Sequence, residues 1–208
     1  MGIARHLRRA EKALLATGLS LIAIWAVADL HSKQAAKAAI VQFRSKNIDV
    51  TTHANRDALA ENSPAALAIL RINKVHISVP VFNGTDESTL HIGVGRIPGT
   101  ARIGEIGNLA IAGHRDTFFR GLKDISIGDL IELERSAQID DYTVSQIRIV
   151  QPEETSVLNP TTDPTLTLVT CFPFYFVGSA PERYIVTASL RGSTRPAPGL
   201  DDLNVAQN

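Results

Sequence analysis

From about residue 67 onward the chain changes period, and that change limits what it can fold into more than any other feature. Ile77, Val79 and Val81 alternate with small or polar residues, as do Ile131 with Leu133 and Ile147 with Ile149. A two-residue repeat of this kind belongs to strands with one buried face. GNLAIAG (107–113), TLTLVT (165–170) and RYIVTASL (183–190) are short apolar runs bounded by Gly, Pro or charge. Turn signals fall between them at Asn83-Gly84, Pro98-Gly99, Gly128-Asp129 and Asn159-Pro160. No stretch beyond residue 67 carries twelve residues of helical periodicity, which disfavours alternating βαβ units. The pattern predicts a mainly β domain of about 120 residues, mostly antiparallel, closed as a barrel or stacked as a sandwich.

The start of the chain obeys different rules. Arg5, Arg8, Arg9 and Lys12 stand against Glu11, and residues 13–28, ALLATGLSLIAIWAVA, follow without a charge. Sixteen uncharged residues fall short of the roughly 20 that cross a hydrocarbon core. Thr17 and Ser20 can return their hydroxyls to a helix backbone, and Trp25 suits an interface. Two readings fit: an uncleaved membrane anchor, which we prefer, and a signal peptide cleaved after the small-x-small triplet Ala26-Val27-Ala28. In both, the basic cluster favours residues 1–12 in the cytoplasm and the body of the chain outside it.

Residues 31–66 form a polar, alanine-rich connector with Ala36, Ala39, Ile40 and Phe43 at helical spacing, and Ser63-Pro64 marks its end. We expect a helical stalk. Four segments result: 1–30 the basic start with anchor or signal, 31–66 the connector, 67–190 the β domain, and 191–208 a polar, disordered tail.

Composition excludes several functions. With 21 basic and 21 acidic side chains, the chain lacks the basic surface of a general nucleic-acid binder. One cysteine, Cys171, permits neither an internal disulfide nor a multi-thiolate metal site. The acidic pairs Asp86-Glu87, Asp140-Asp141 and Glu153-Glu154 lack the ligand density of a calcium loop and are read as solvated surface. No metal or cofactor is expected.

The chemistry gathers in two segments. IAGHRDTFFR (111–120) ends an apolar strand at Gly113 and delivers His114 into a polar turn; TLTLVTCFPF (165–174) ends another at Thr170-Cys171. A thiol beside an imidazole is the usual pairing for nucleophilic acyl transfer. Arg183 opens the next strand; it cannot act as a base but can donate to an oxyanion. Taken singly, each residue has an ordinary structural explanation. What raises them together is that both groups end apolar strands, 57 residues apart, where only the fold can join them. Asp116 is left out of the set, because Arg115 and Arg120 are nearby partners for it.

Thr167-Leu168-Val169-Thr170-Cys171 matches the T-L-x-T-C signature of sortases. The resemblance covers roughly residues 67–190, including GVGRIPGTA (93–101), GEIGNLAIAGHRDTFFRGL (104–122), IGDLIEL (127–133) and VTCFPFYFVGSAPERYIVTASL (169–190). It is similar to the class D type, including Gram-negative members. Arg96 departs from the pattern, where a histidine would be expected before Pro98-Gly99.

That resemblance implies a closed eight-stranded β-barrel, a single-pass membrane anchor and a catalytic domain outside the cytoplasm. It implies a cysteine transpeptidase acting on proteins with an L-P-x-T-G-like sorting signal. Cys171 would attack the threonine carbonyl to form a thioacyl-enzyme, which an amine of peptidoglycan or protein, or water, would resolve. His114 would handle the protons, and Arg183 would hold the oxyanion or position the substrate backbone. Thr170 would contact substrate or cap the strand end, with nothing in the residues to separate the two. The alternatives are a membrane-anchored peptide-binding barrel without turnover and an L,D-transpeptidase-like acyl transferase. Val169-Thr170-Cys171 does not match the Ser-x-Gly-Cys of the latter.

Overall fold

The structure, a computed structural model, describes residues 2–48, 65–135, 138–176 and 178–195. The expected boundary at Ser63-Pro64, the last part of the connector and the tail from residue 196 lie outside the described residues. The chain divides into two compact units, residues 1–35 and 36–208.

The apolar run and the described first part of the connector form one element, α1 (Gly2–Ile48), a 47-residue helix. Between Gly18 and Ile48 the sequence holds neither Gly nor Pro, so nothing local breaks it. Within it Leu14–Ser45 is long and apolar enough to cross a membrane, with Leu15, Ile22, Trp25 and Val27 all exposed. In the second unit, Ala36, Ala39 and Phe43 make the buried stripe of the helix. Beside them Arg44 reaches Glu134, a buried carboxylate also paired with Arg71.

The remaining elements close a barrel in the order β1-β2-β3-β4-β7-β8-β6-β5. The strands are β1 (Ala68–Ile72), β2 (Ile77–Asn83), β3 (Val94–Arg96), β4 (Asn108–Ala112), β5 (Leu130–Arg135), β6 (Gln138–Val150), β7 (Thr165–Phe172) and β8 (Glu182–Arg195). Alternation puts Leu70, Ile72, Val79, Val81, Val94, Ile111, Ile131, Leu133, Leu166, Leu168 and Val186 into one core, each almost wholly buried. Most pairs are antiparallel, as expected, but β2 with β3 and β4 with β7 run parallel. The β2–β3 connection carries α2 (Glu87–Ile92), a short helix the strand periodicity did not announce. Asp86 caps it, accepting from the Thr89 amide at 3.0 Å and the Thr89 hydroxyl at 2.7 Å.

Residues 191–195, read from the sequence as the start of the tail, are the end of β8. They pair with β6 at Asp141↔Gly192 and Ile139↔Arg195. At that end of the barrel a cavity of about 610 Å³ is lined by Asn83, Arg96, Arg102, Arg135 and Gln138, among others. Arg96 is engaged in local packing there, donating from Nε to Asn83 Oδ1 at 3.0 Å and from Nη1 to the Thr100 carbonyl at 2.7 Å.

Candidate active site

The parallel pairing of β4 with β7 creates the site. Its last registered pair is Ala112↔Val169, and the Gly113 amide extends it by donating to the Val169 carbonyl at 3.1 Å. His114 and Cys171 are each two residues beyond that pair, so the two strands deliver both groups to the same rim. Cys171 is a free, half-buried thiol, and the His114 side chain is 35% exposed.

A third group arrives from the other neighbour of β7. In the antiparallel β7–β8 register Cys171 lies directly opposite Arg183, so both side chains leave the same face of the sheet. Among the described residues, the hydrogen bonds of the guanidinium leave from Nη1, to the carbonyls of Ala180 (3.3 Å) and Glu182 (3.0 Å). That orientation leaves the Nε and Nη2 edge for another acceptor.

Thr170 faces the other way. Alternation places it with Leu166 and Leu168 on the core side, where it is 2% exposed, and its hydroxyl donates to the Gly113 carbonyl at 2.7 Å. The hydroxyl thus makes a tie at the strand end, the second of the two roles weighed for it. The tie joins the residue before the thiol to the residue before the imidazole. Gly113 must be glycine there: a Cβ would stand 2.8 Å from both the Phe119 ring and Val94.

The aromatic run after Cys171 divides in two. Phe172 and Phe174 turn inward with Tyr184, with centroids 5.1 to 6.0 Å apart, and pack the barrel end under the thiol. Burial pushes the Tyr184 phenol above its ordinary value. Tyr175 and Phe176 stay outside, 74% and 45% exposed, as apolar wall beside the rim.

Two residues near the site were not assigned to it from the sequence. Glu87, on α2, places Oε1 3.6 Å from His114 Nε2. Its 87% exposure makes this a weak, screened pair. Asp86-Glu87 was read as solvated surface; the signal that a helix starts here was an aspartate followed three residues later by a threonine. Arg115 is the other. It and Arg120, expected as partners of Asp116, turn instead to backbone carbonyls and to the Tyr175 ring, 6.0 Å away. Asp116 is exposed in a turn, not in an extended run that would aim it at the imidazole.

Comparison with known proteins bears on the family and the fold. The family model described as the sortase domain matches residues 70–191. A sortase D of Bacillus subtilis (strain 168) is 34% identical over 133 residues, 64% of this chain and 67% of that one. A sortase A of Listeria monocytogenes is 28% identical over 139 residues, covering 65% of this chain and 62% of the relative's length. Among solved structures, a Clostridium perfringens sortase D5 transpeptidase superposes with a TM-score of 0.59 at 26% identity, over 76% of this chain and 97% of that one. With the family match spanning more than half of its length, this chain belongs to the sortase family of cysteine transpeptidases, with affinity to class D.

Proposed function

We propose that this chain is a membrane-anchored sortase that cleaves an L-P-x-T-G-like sorting signal and transfers the acyl fragment to an amine. The observation that carries this reading is the register that sets Cys171 opposite Arg183 and level with His114 past the end of the β4–β7 ladder.

In this reading Cys171 passes its thiol proton to His114, Sγ attacks the threonine carbonyl carbon, and negative charge gathers on the carbonyl oxygen. The Nε and Nη2 edge of Arg183 donates to that oxygen, where a fixed donor lowers the barrier most. Collapse breaks the C–N bond to the next residue, and His114 supplies the proton that the departing amine needs. A thioacyl-enzyme remains. An amine of peptidoglycan or protein, or water, then attacks the same carbon, gives its proton to His114, and releases Cys171 as the C–S bond breaks. One acyl bond is broken and one formed, so no metal or cofactor is called on.

Support for the anchor comes from α1, whose apolar length suffices to span, and from Arg5, Arg8, Arg9 and Lys12 before it. That charge favours a cytoplasmic start and a barrel on the outer side after a single pass.

The test uses the full chain in detergent with fluorogenic peptides of the L-P-x-T-G and L-P-x-T-A types, without and with an amine acceptor. Cleavage and an amine-linked product from wild type, with neither from Cys171→Ala, is the expected result. Cleavage by Cys171→Ala contradicts the proposal. So does a silent panel with Cys171 open to a small thiol reagent, which favours the peptide-binding barrel.

A further inference from the structure

Arg115 follows His114 directly, and its guanidinium reaches across the chain to backbone. Nη1 donates to the Pro173 carbonyl at 3.0 Å, and Nη2 donates to those of Phe176 at 2.8 Å and Gly178 at 3.2 Å. The Phe176 ring lies against the same group, 5.8 Å from Cζ to its centroid. All three acceptors belong to the segment that leaves β7 after the thiol and returns as β8 with Arg183. Arg183 itself holds the carbonyls of Ala180 and Glu182 in that segment. One connection between strands is thus folded around two guanidiniums, one adjacent to His114 in the chain and one opposite Cys171 in register.

The location matters because the β4–β7 ladder stops short of the reacting groups. Its last ties are Gly113 N–H to Val169 and Thr170 to Gly113. The fork of Arg115 is the next cross-connection along the same direction. A guanidinium is well suited to bridging several carbonyls, being planar, permanently charged and able to present donors in a fixed plane. An ammonium, by contrast, is a point charge on a flexible stem. Hydrogen bonds from a charged donor are also among the stronger ones.

We propose that Arg115 is a positioning residue for the transpeptidation, clamping the β7–β8 connection so that Cys171 and Arg183 keep one arrangement relative to His114. The proposal rests on the reading of Cys171 as nucleophile. Three of its five N–H donors are held by the connection, so the role assigned to Arg115 is to act through Cys171 and Arg183. Misplacement of reacting groups by about 1 Å is enough to cost on the order of 10²-fold in rate.

The experiment compares full-length wild type, Arg115→Ala, Arg115→Lys and Cys171→Ala. Hydrogen exchange over residues 173–182, which needs no substrate, is measured with turnover on the cleaved peptide. In Arg115→Ala the segment should exchange faster by about tenfold or more, while β4 and β7 exchange as in wild type. Turnover should fall roughly 10–100-fold with KM changed less than about threefold. Added guanidinium ion should restore part of it, and Arg115→Lys should lie between. Wild-type exchange with turnover within about twofold overturns the clamp. Faster exchange of β4 and β7 in step with the activity loss also overturns it, making Arg115 a residue of general stability. Cleavage by Cys171→Ala would instead sink the reading of the site, a separate failure.

Discussion

Cys171 and Arg183 are direct cross-strand partners at the open end of β7 and β8. With Cys171 as the proposed nucleophile, the pair makes a specific demand on mechanism: an arginine held opposite it would donate to the negative oxygen that forms there. Removing a single oxyanion donor costs about 10²–10³ in turnover, and Arg183→Ala should lose that much. Arg183→Lys should recover only part, because one ammonium cannot hold Ala180 and Glu182 and also reach the substrate. Single-turnover acylation measures this directly; a loss in KM alone would show that Arg183 binds peptide without serving the transition state.

Gly113 and Thr170 lock the two strands below the rim. Gly113→Ala forces a methyl against Phe119 and Val94 and should cost about 1–3 kcal/mol, with activity falling further than stability because His114 is the next residue. Thr170→Val keeps the shape but leaves the Gly113 carbonyl without its donor, a loss of about 1–3 kcal/mol. Thermal unfolding reads both. If Thr170→Val changed peptide KM and left stability alone, the hydroxyl would belong to the substrate after all.

The acidic cap of α2 gives a pH signature. The hydroxyl of Ser88, then the hydroxyl and amide of Thr89, hold the Asp86 carboxyl at about 2, below its ordinary 3.8. The unfolded chain takes up that proton first, so the cap's contribution is fully present above about pH 4 and is lost as pH falls toward 2. Unfolding series across this window should show a steeper acid loss in wild type than in Asp86→Asn, which still caps at neutral pH. An identical slope in the two proteins would contradict the cap. Glu87→Gln, one residue on, should lower kcat/KM by less than about threefold, and the difference should vanish in about 1 M salt.

Much of the barrel was legible because its information is local. Thr165 to Thr170 form a short, largely apolar run, it ends at a cysteine, and β7 ends within one residue of it. Ile131 and Leu133, or Val79 and Val81, declare their buried face in the same way. The parallel β4–β7 pair was not legible, since Ala112 and Val169 meet across 57 residues and nothing near either one names its partner. The same distance hid Arg115, whose acceptors lie 58 to 63 positions away. Gly192 to Arg195 read as tail because their composition is polar; their strand is imposed by the long edge of β6. Glu87 escaped notice because only the β2–α2–β3 crossover brings it to His114.

Intact mass spectrometry of the full-length protein, caught during turnover of a cleaved peptide, tests the central claim most directly. The account predicts an acyl adduct of the N-terminal peptide fragment, mapped to Cys171, released faster by an amine than by water. It predicts none on Cys171→Ala and a slower appearance on His114→Ala and Arg183→Ala. Cleavage without an adduct at any amine concentration, or an adduct that survives Cys171→Ala, would contradict it.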